Sequence, residues 1–283
     1  MLRFALVLVL LRFQDDARPL PDLKTFISEF RKSIHTDDLL LSNYTYTEKQ
    51  TSIQLDSARK PKKTEENVFQ VFPGTCERAG YRRQTVKNGK PLSEAELDKQ
   101  DREHEKQVKS GGGGDRGRDR PRGGNCNRKA EDEKIINDLF AVYEIQMVGR
   151  EPVDGRPTVL VSFKPRPNYK PETRQGGYMK HVAGRAWISE EDHQLARLDA
   201  EVIDDIGFGL GVFAKLKKGT HIAAERHKFN NEIWLPYRTE IAVDARVLFK
   251  GVNMKQIVEY ADHKRFSVDT KLSFPELTEQ PEQ

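Results

Sequence analysis

The sequence predicts an α+β fold: a long, curved antiparallel sheet forming an incomplete β-barrel, covered by one or more helices. Three observations predict it. Apolar and polar residues alternate over long segments in the second half of the chain, the period of strands with one buried and one wet face. Short turns join those segments, so successive strands should lie side by side as an antiparallel meander. One early segment instead has the 3.6-residue period of an amphipathic helix. The strand count comes to roughly nine to eleven, and a sheet of that size coils under its own twist instead of lying flat.

The early helix is "LKTFISEFRKSIHTDDLLL", Leu23 to Leu41, with Leu23, Phe26, Ile27, Phe30 and Ile34 on one face. Strands follow in "SNYTYTEKQTSIQL", in the short apolar run "NVFQVFPG", and in "CERAGYRRQTVKNGKP", which ends at the turn Asn88-Gly89. "LSEAELDKQDREHEKQVK" opens with the capping box Ser93 and Glu96 and has no apolar face, so it predicts a solvent-exposed helix. After "SGGGGDRGRDRPRGG" comes a shorter helix, "RKAEDEKIINDLF". Residues 92 to 140 therefore read as a helix, tether and helix inserted into a strand-rich domain.

From Ala141 onward the pattern is strands again. Two of them flank the turn "PVDGRP", and a polar connection leads to the hairpin "AGRAWISEEDHQLARLDAEV". In "FGLGVFAKLKKG" the apolar set is Phe208, Leu210, Val212, Ala214 and Leu216, with Gly207, Gly209 and Gly211 on the other face of a curved strand. "IWLPYRTEIAVDARVLF" is the longest alternation, with Ile241, Val243 and Val247 on the apolar side. The last strand, "VNMKQIVEYADHKRF", buries Met254 and Val258. The tail "PELTEQPEQ" is disordered by composition.

Composition narrows the function. The 283 residues are 36% hydrophobic and 33% charged, with a formal net charge of +4. Between Gly111 and Lys129 six basic residues face two acidic ones, which accounts for the whole net charge. The rest of the chain is neutral, unlike the basic folded face of a nucleic-acid-binding domain. The glycine–arginine stretch also lacks the aromatics that stack on bases. It reads as a solvated tether able to touch anionic headgroups.

"MLRFALVLVLLRF" has the charged start and apolar core of a short secretory signal, too short to span a membrane. The mature protein is expected to be soluble. Cys76 and Cys126 are too few and too far apart for a zinc site. They read as unrelated thiols, or as a disulfide if the protein is exported.

No catalytic constellation emerges. His221, Glu225 and His227 share one strand parity, but six residues of strand put the two histidines about 20 Å apart. Glu225 and His227 could share an ion only with help from a neighbouring strand. "GFGLG" lacks the spacing and following helix of a nucleotide loop. The sequence predicts no enzyme, no metal site and no cofactor.

The blocks "GREPVDGRPTVLVSFKPRPNYKP", "GRAWISEEDHQLARLDAEV", "NEIWLPYRTEI" and "YADHKRF", with the upstream "YRRQTVKNGKPLSEAELDKQ", resemble bacterial outer-membrane lipoprotein-sorting proteins. These are LolA-like half-barrel proteins, and the likeness is to their exported branch. It covers about Leu40 to Phe266, less the tether. Trp187, Asp192, Trp234, Leu235 and Pro236 match positions that define strands and corners. The resemblance implies an incomplete barrel with helices in its mouth, placed in the periplasm or at the outer membrane. It also implies an apolar cavity holding a lipid, an acyl chain or a lipoprotein.

The expected organisation is a short signal or N-terminal segment at 1–19, one half-barrel domain at 20–274 interrupted by the insertion at 92–140, and a tail at 275–283. The expected function is non-catalytic binding of a lipid, acyl chain or lipoprotein, with peripheral membrane contact and no nucleic acid. The alternatives are an envelope protein with a dry core that docks a partner, a nucleic-acid-binding protein and a metal-dependent hydrolase. The residues expected to line the concave face are Phe208, Leu210, Val212, Ile241, Val243, Val247, Met254 and Val258. A packed core would need the same alternation, so the pattern leaves cavity and core open.

Overall fold

The computed structural model describes residues 18–74, 80–109, 129–208, 214–247 and 250–265. The signal-like segment, the glycine–arginine tether, both cysteines and the tail lie outside them. Helix α1 (Leu23–Leu41) starts where Asp22 caps it, its Oδ1 accepting from the Thr25 amide at 2.9 Å and the Thr25 hydroxyl at 2.7 Å. At one end of α1, Phe26 is 2% exposed and packs among Val159, Val161, Ala186 and Ile188, with Ile27 and Phe30 beside it. At the other end, Leu40 and Leu41 pack on Tyr44, Ile233 and Leu235.

The first four strands form a meander. β1 (Tyr44–Leu55) and β2 (Pro61–Phe72) pair through a tight hairpin. Asp56 Oδ1 holds that turn by accepting from the amides of Ala58 and Lys60 at 2.9 and 2.8 Å. β2 is longer than its apolar run because the polar half, Pro61–Glu66, also pairs with β1. β3 (Tyr81–Lys87) turns at Asn88-Gly89, both with positive φ, into β4 (Lys90–Pro91).

Helix α2 (Glu94–Lys109) has the predicted capping box: the Ser93 amide donates to Glu96 Oε2 at 2.9 Å. It buries no residue, yet it is docked through polar groups. Gln100 Oε1 accepts from the Gln84 amide at 3.1 Å, and Gln100 Nε2 donates to the Gln84 carbonyl at 3.0 Å. Arg83 forks onto Asp101, with both bonds at 2.9 Å, and Tyr81 stacks on His104 at 4.1 Å. These contacts occupy backbone groups that an exposed edge strand would offer to another chain.

The remaining elements are α3 (Lys129–Val142), β5 (Tyr143–Arg150), β6 (Thr158–Pro165), α4 (Arg174–Met179), β7 (Val182–Ser189), β8 (Leu195–Val202), β9 (Ile206–Phe208), β10 (Ala214–Leu216), β11 (His221–Phe229), β12 (Ile233–Val247) and β13 (Lys250–Arg265). They complete one antiparallel sheet of 13 strands, ordered β4-β3-β2-β1-β13-β12-β11-β8-β7-β6-β5, with β9 and β10 off this path. β4 and β5 are its two ends and do not pair, so the sheet is an open half-barrel, as the alternation predicts.

Three expectations need correction. The topology is not one meander: β1 pairs with β13, and the chain crosses from β4 at one end to β5 at the other through the segment holding α2 and α3. Residues 92–140 are therefore the crossover between opposite ends of the sheet. The polar connection before β7 contains a short helix, α4, which starts at Thr173. And "FGLGVFAKLKKG" is not one strand. β9 and β10 pair antiparallel, Ile206 with Leu216 and Phe208 with Ala214, so the chain reverses between them. Gly209 and Gly211 lie outside the described residues.

At Gly184 the sheet is packed too tightly for a side chain. A Cβ there would fall against the Asp199 carbonyl, the Ala200 Cα and the Phe163 ring. The β8 backbone and a packed ring cannot both give way. Gly184→Ala should lower unfolding stability by about 1–3 kcal/mol through overpacking. Phe26→Ala should cost ~3–5 kcal/mol through the cavity it leaves beneath α1. Chemical denaturation of both variants against the parent measures these losses.

Candidate functional site

Residues opposite one another in an antiparallel sheet share a face, so the register assigns the α1-covered face. One row across it runs Val161, Ala186, Leu198, Ala224, Thr239, Val258, Gln50. The next runs Phe163, Gly184, Ala200, Ile222, Ile241, Gln256, Ser52. The face is mostly apolar from β6 to β13, with Thr239 and Gln256 the polar residues in these rows, and turns polar at β1. Beyond these rows Val243 pairs with Met254, and Met254 with Gln54.

α1 seals the β6 and β7 part, where Val159 and Ile188 are fully buried. Toward β11–β13 the cover thins, and Ile222, Ile241, Val243 and Met254 are only half-buried. The opposite face of the same strands carries an ion-pair chain: Arg238 meets Glu259 and Glu240, and Lys255 meets Glu240.

Five of the eight residues expected to line the face sit together on it: Ile241, Val243, Val247, Met254 and Val258. Val258 is 6% exposed, whereas Val247, at the end of β12, is 47% exposed. Phe208 ends β9 in register with Ala214, which itself pairs with Val247. Leu210 and Val212 lie outside the described residues.

The polar border is built around a buried charge pair. Glu48, 9% exposed, accepts from Arg82 Nε at 3.0 Å and Nη2 at 2.9 Å. The Arg82 guanidinium lies 3.4 Å over the Phe69 ring, and Gln50 Nε2 donates to Glu48 at 2.6 Å. Burial, and then the neighbouring Glu48 charge, push the Tyr46 phenol up to about 12, so it stays protonated at neutral pH. A carboxylate with a two-point partner is fixed in place and is not a mobile acid–base group.

None of the eight predicted residues lines either of two clefts on the described surface. The smaller, about 200 Å³, is walled by His227, Tyr237, Tyr260 and His263. The larger, about 480 Å³, lies where β6, β7 and β8 end, and is lined by Lys164, Arg166, Lys180, His181 and Asp204 with Pro165, Pro167 and Ile203. Sequence reading missed this cleft. Its signal was the basic, proline-broken run "FKPRPNYKPETR", read as the end of a strand and a polar connection and not as a site.

A second missed feature holds that corner together. Asp138, on α3, is 1% exposed and accepts from the Tyr169 hydroxyl, the amides of Glu172 and Thr173, and the Thr173 hydroxyl, at 2.5 to 3.0 Å. Thr173 in turn caps α4 through the Gly176 amide at 2.9 Å. A Cβ on Gly176 would strike the Asp138 carboxylate. Among a dozen carboxylates in that stretch of sequence, nothing local marks Asp138.

The histidines of β11 do not converge. His221 Nε2 lies 3.0 Å from Asp199, while His227 lies 3.3 Å from Glu225 and stacks on Tyr237 at 3.8 Å. Among the described residues no group of three or more His, Cys, Asp or Glu could hold a metal ion, and no helix is long and apolar enough to cross a membrane.

As a class, this is an open antiparallel half-barrel with a helix across one face. No family model and no curated protein matches the chain. Solved structures similar to it include a LolA-superfamily protein and a lipoprotein-sorting protein domain. A LolA superfamily protein from Nitrosomonas europaea is 10% identical over 88% of this chain and 96% of its own, with a TM-score of 0.34. An outer membrane lipoprotein-sorting protein domain from Vibrio parahaemolyticus is 8% identical over 86% and 93%, with a TM-score of 0.37. A DUF1329 family protein from Desulfovibrio piger is 13% identical over 87% and 95%, with a TM-score of 0.28. Likeness at this level assigns no residue a role.

Burial pushes the Asp138 carboxyl up, but the Thr173 hydroxyl, the two amides and Tyr169 outweigh it and leave the group below the ordinary aspartate range. A carboxylate with a depressed folded value contributes stability that is present above its unfolded value and lost as pH falls through the folded one. Asp138→Asn should therefore cost about 2 kcal/mol at neutral pH. The gap to the parent should close as the pH drops below about 4. Denaturant titrations at several pH values check both statements.

Proposed function

We propose that this chain is an exported, non-catalytic binding protein that holds an acyl chain, as a lipid or as part of a lipoprotein, against the α1-covered face of its sheet. The observation behind this reading is the change of cover along that face. Phe26 and its neighbours close it over β6 and β7. Ile222, Ile241, Val243 and Met254 continue the same apolar surface half-buried, and they end at the polar border of Gln50, Ser52 and Gln54. A surface that is apolar along its length and polar at one side suits an amphipathic ligand, its chain on the apolar rows and its head at the border.

The reading takes residues 20–274 as one domain and residues 1–19 as the export signal. Its site residues are Ile241, Val243, Met254 and Val258, with Val247 at the open end; Phe208, Leu210 and Val212 extend the set.

Titration with a fluorescent long-chain fatty acid tests the proposal. The parent should give saturable binding near one equivalent. Val243→Asp or Met254→Glu, each placing a charge on the apolar surface, should weaken it at least ~10-fold with the far-ultraviolet circular dichroism unchanged. No saturable binding by the parent, or equal binding by both variants, would sink the reading.

A further inference from the structure

We propose that the cleft at the ends of β6, β7 and β8 binds a phosphate group, either free or as the head of a phospholipid. The inference is independent of the acyl-chain reading, since it rests on a different part of the surface.

Three segments meet at this cleft, and two of them bring basic side chains. Lys164 and Arg166 come from the end of β6, Lys180 and His181 from the junction of α4 and β7, and Asp204 from the loop after β8. The backbone locks these segments together. The Arg166 amide donates to the Val142 carbonyl at 2.7 Å, and the Ile203 amide to the His181 carbonyl at 2.8 Å. Arg166 Nε donates to the Tyr143 carbonyl at 3.1 Å, which fixes the guanidinium and leaves its two terminal nitrogens for a ligand. The Asp138 cluster fixes the preceding chain through Tyr169, Glu172 and Thr173.

The charge pattern departs from the rest of the molecule. Elsewhere a sheltered cation meets a carboxylate: Arg82 with Glu48, Arg150 with Glu190, Lys228 with Asp192. In the cleft, Lys164 pairs with Glu144 at 3.2 Å. Lys180 is half-buried, and neither it nor Arg166 pairs with a carboxylate among the described residues. A half-buried lysine without a counter-charge loses part of its hydration and gains nothing in return. His181 lines the same cleft, and its enclosed Nδ1 has no hydrogen-bond partner in the described structure.

Arg166, which is exposed, and Lys180, which is half-buried, line the same cleft, and a guanidinium fork with an ammonium is a donor set that a tetrahedral oxyanion takes. The volume of about 480 Å³ admits a phosphate with a substituent, and Pro165, Pro167 and Ile203 offer that substituent an apolar wall. Asp204 is exposed on the rim and opposes an anion, which gives the proposal a prediction of opposite sign.

Isothermal titration of the full chain with inorganic phosphate, and separately with a lysophospholipid below its micelle concentration, provides the test. Lys180→Glu should weaken binding at least ~10-fold, and Asp204→Asn should tighten it about 2- to 3-fold, from the Coulomb terms near a protein surface. Saturable binding of inorganic phosphate that follows this pattern supports a free-anion site. Binding of the lysophospholipid alone, with the same pattern, supports a lipid-head site. No binding of either by the parent, or binding that Lys180→Glu leaves unchanged, overturns the proposal. Lysophospholipid binding lost in Val243→Asp but kept in Lys180→Glu overturns it while leaving the acyl-chain reading intact.

Discussion

The pairing of β1 with β13 is the contact on which the rest depends. It runs from Tyr44 opposite Arg265 to Leu55 opposite Asn253, with one irregularity near Thr45. On one side lie β1 to β4, the first meander; on the other lie β5 to β13, the second. Without this ladder the chain would hold two smaller sheets with exposed edges. With it, one continuous face runs from β6 to β2. The paired residues are some two hundred positions apart in the chain, so this ladder carries a large loop-closure cost and should form late in folding.

Helix α1 follows from the same constraint. It leads directly into β1, yet its first turn reaches the core between β6 and β7. It therefore spans the face diagonally and fastens the second meander to the start of the first. The cover is uneven for that reason: full where Phe26 lies, thin over β12 and β13. The Asp138 cluster plays a comparable part at the far corner. It anchors α4 to α3, and α4 delivers Lys180 and His181 to the basic cleft. The two surfaces that could take ligands are consequences of how two helices are tied to a sheet too large to be covered by them.

Much of this was legible because it is local. The stripe of α1, the Ser93–Glu96 box, the Asn88-Gly89 turn and the long alternation of β12 each declare themselves within a few residues. Opposite faces of β12 and β13 could be read with their correct parity, so Val243 and Met254 were placed on one face before any register was known. What was missed depends on distant partners. The polar half of β2 has no apolar signal, because β1 supplies its ladder. The reversal between Phe208 and Ala214 breaks an alternation that looked continuous. Asp138 is one acidic residue among many until Thr173 and Tyr169 surround it. The cleft needs three chain segments, and no single one looks like a site.

The central claim is that the apolar surface continuing past α1 is a ligand seat and not simply a thinly covered core. Native mass spectrometry of the protein purified gently from an envelope extract addresses it most directly. The account predicts a population carrying one acyl-bearing adduct, released on activation and much reduced in Val243→Asp. A spectrum showing only the bare chain, for parent and variant alike, would contradict it.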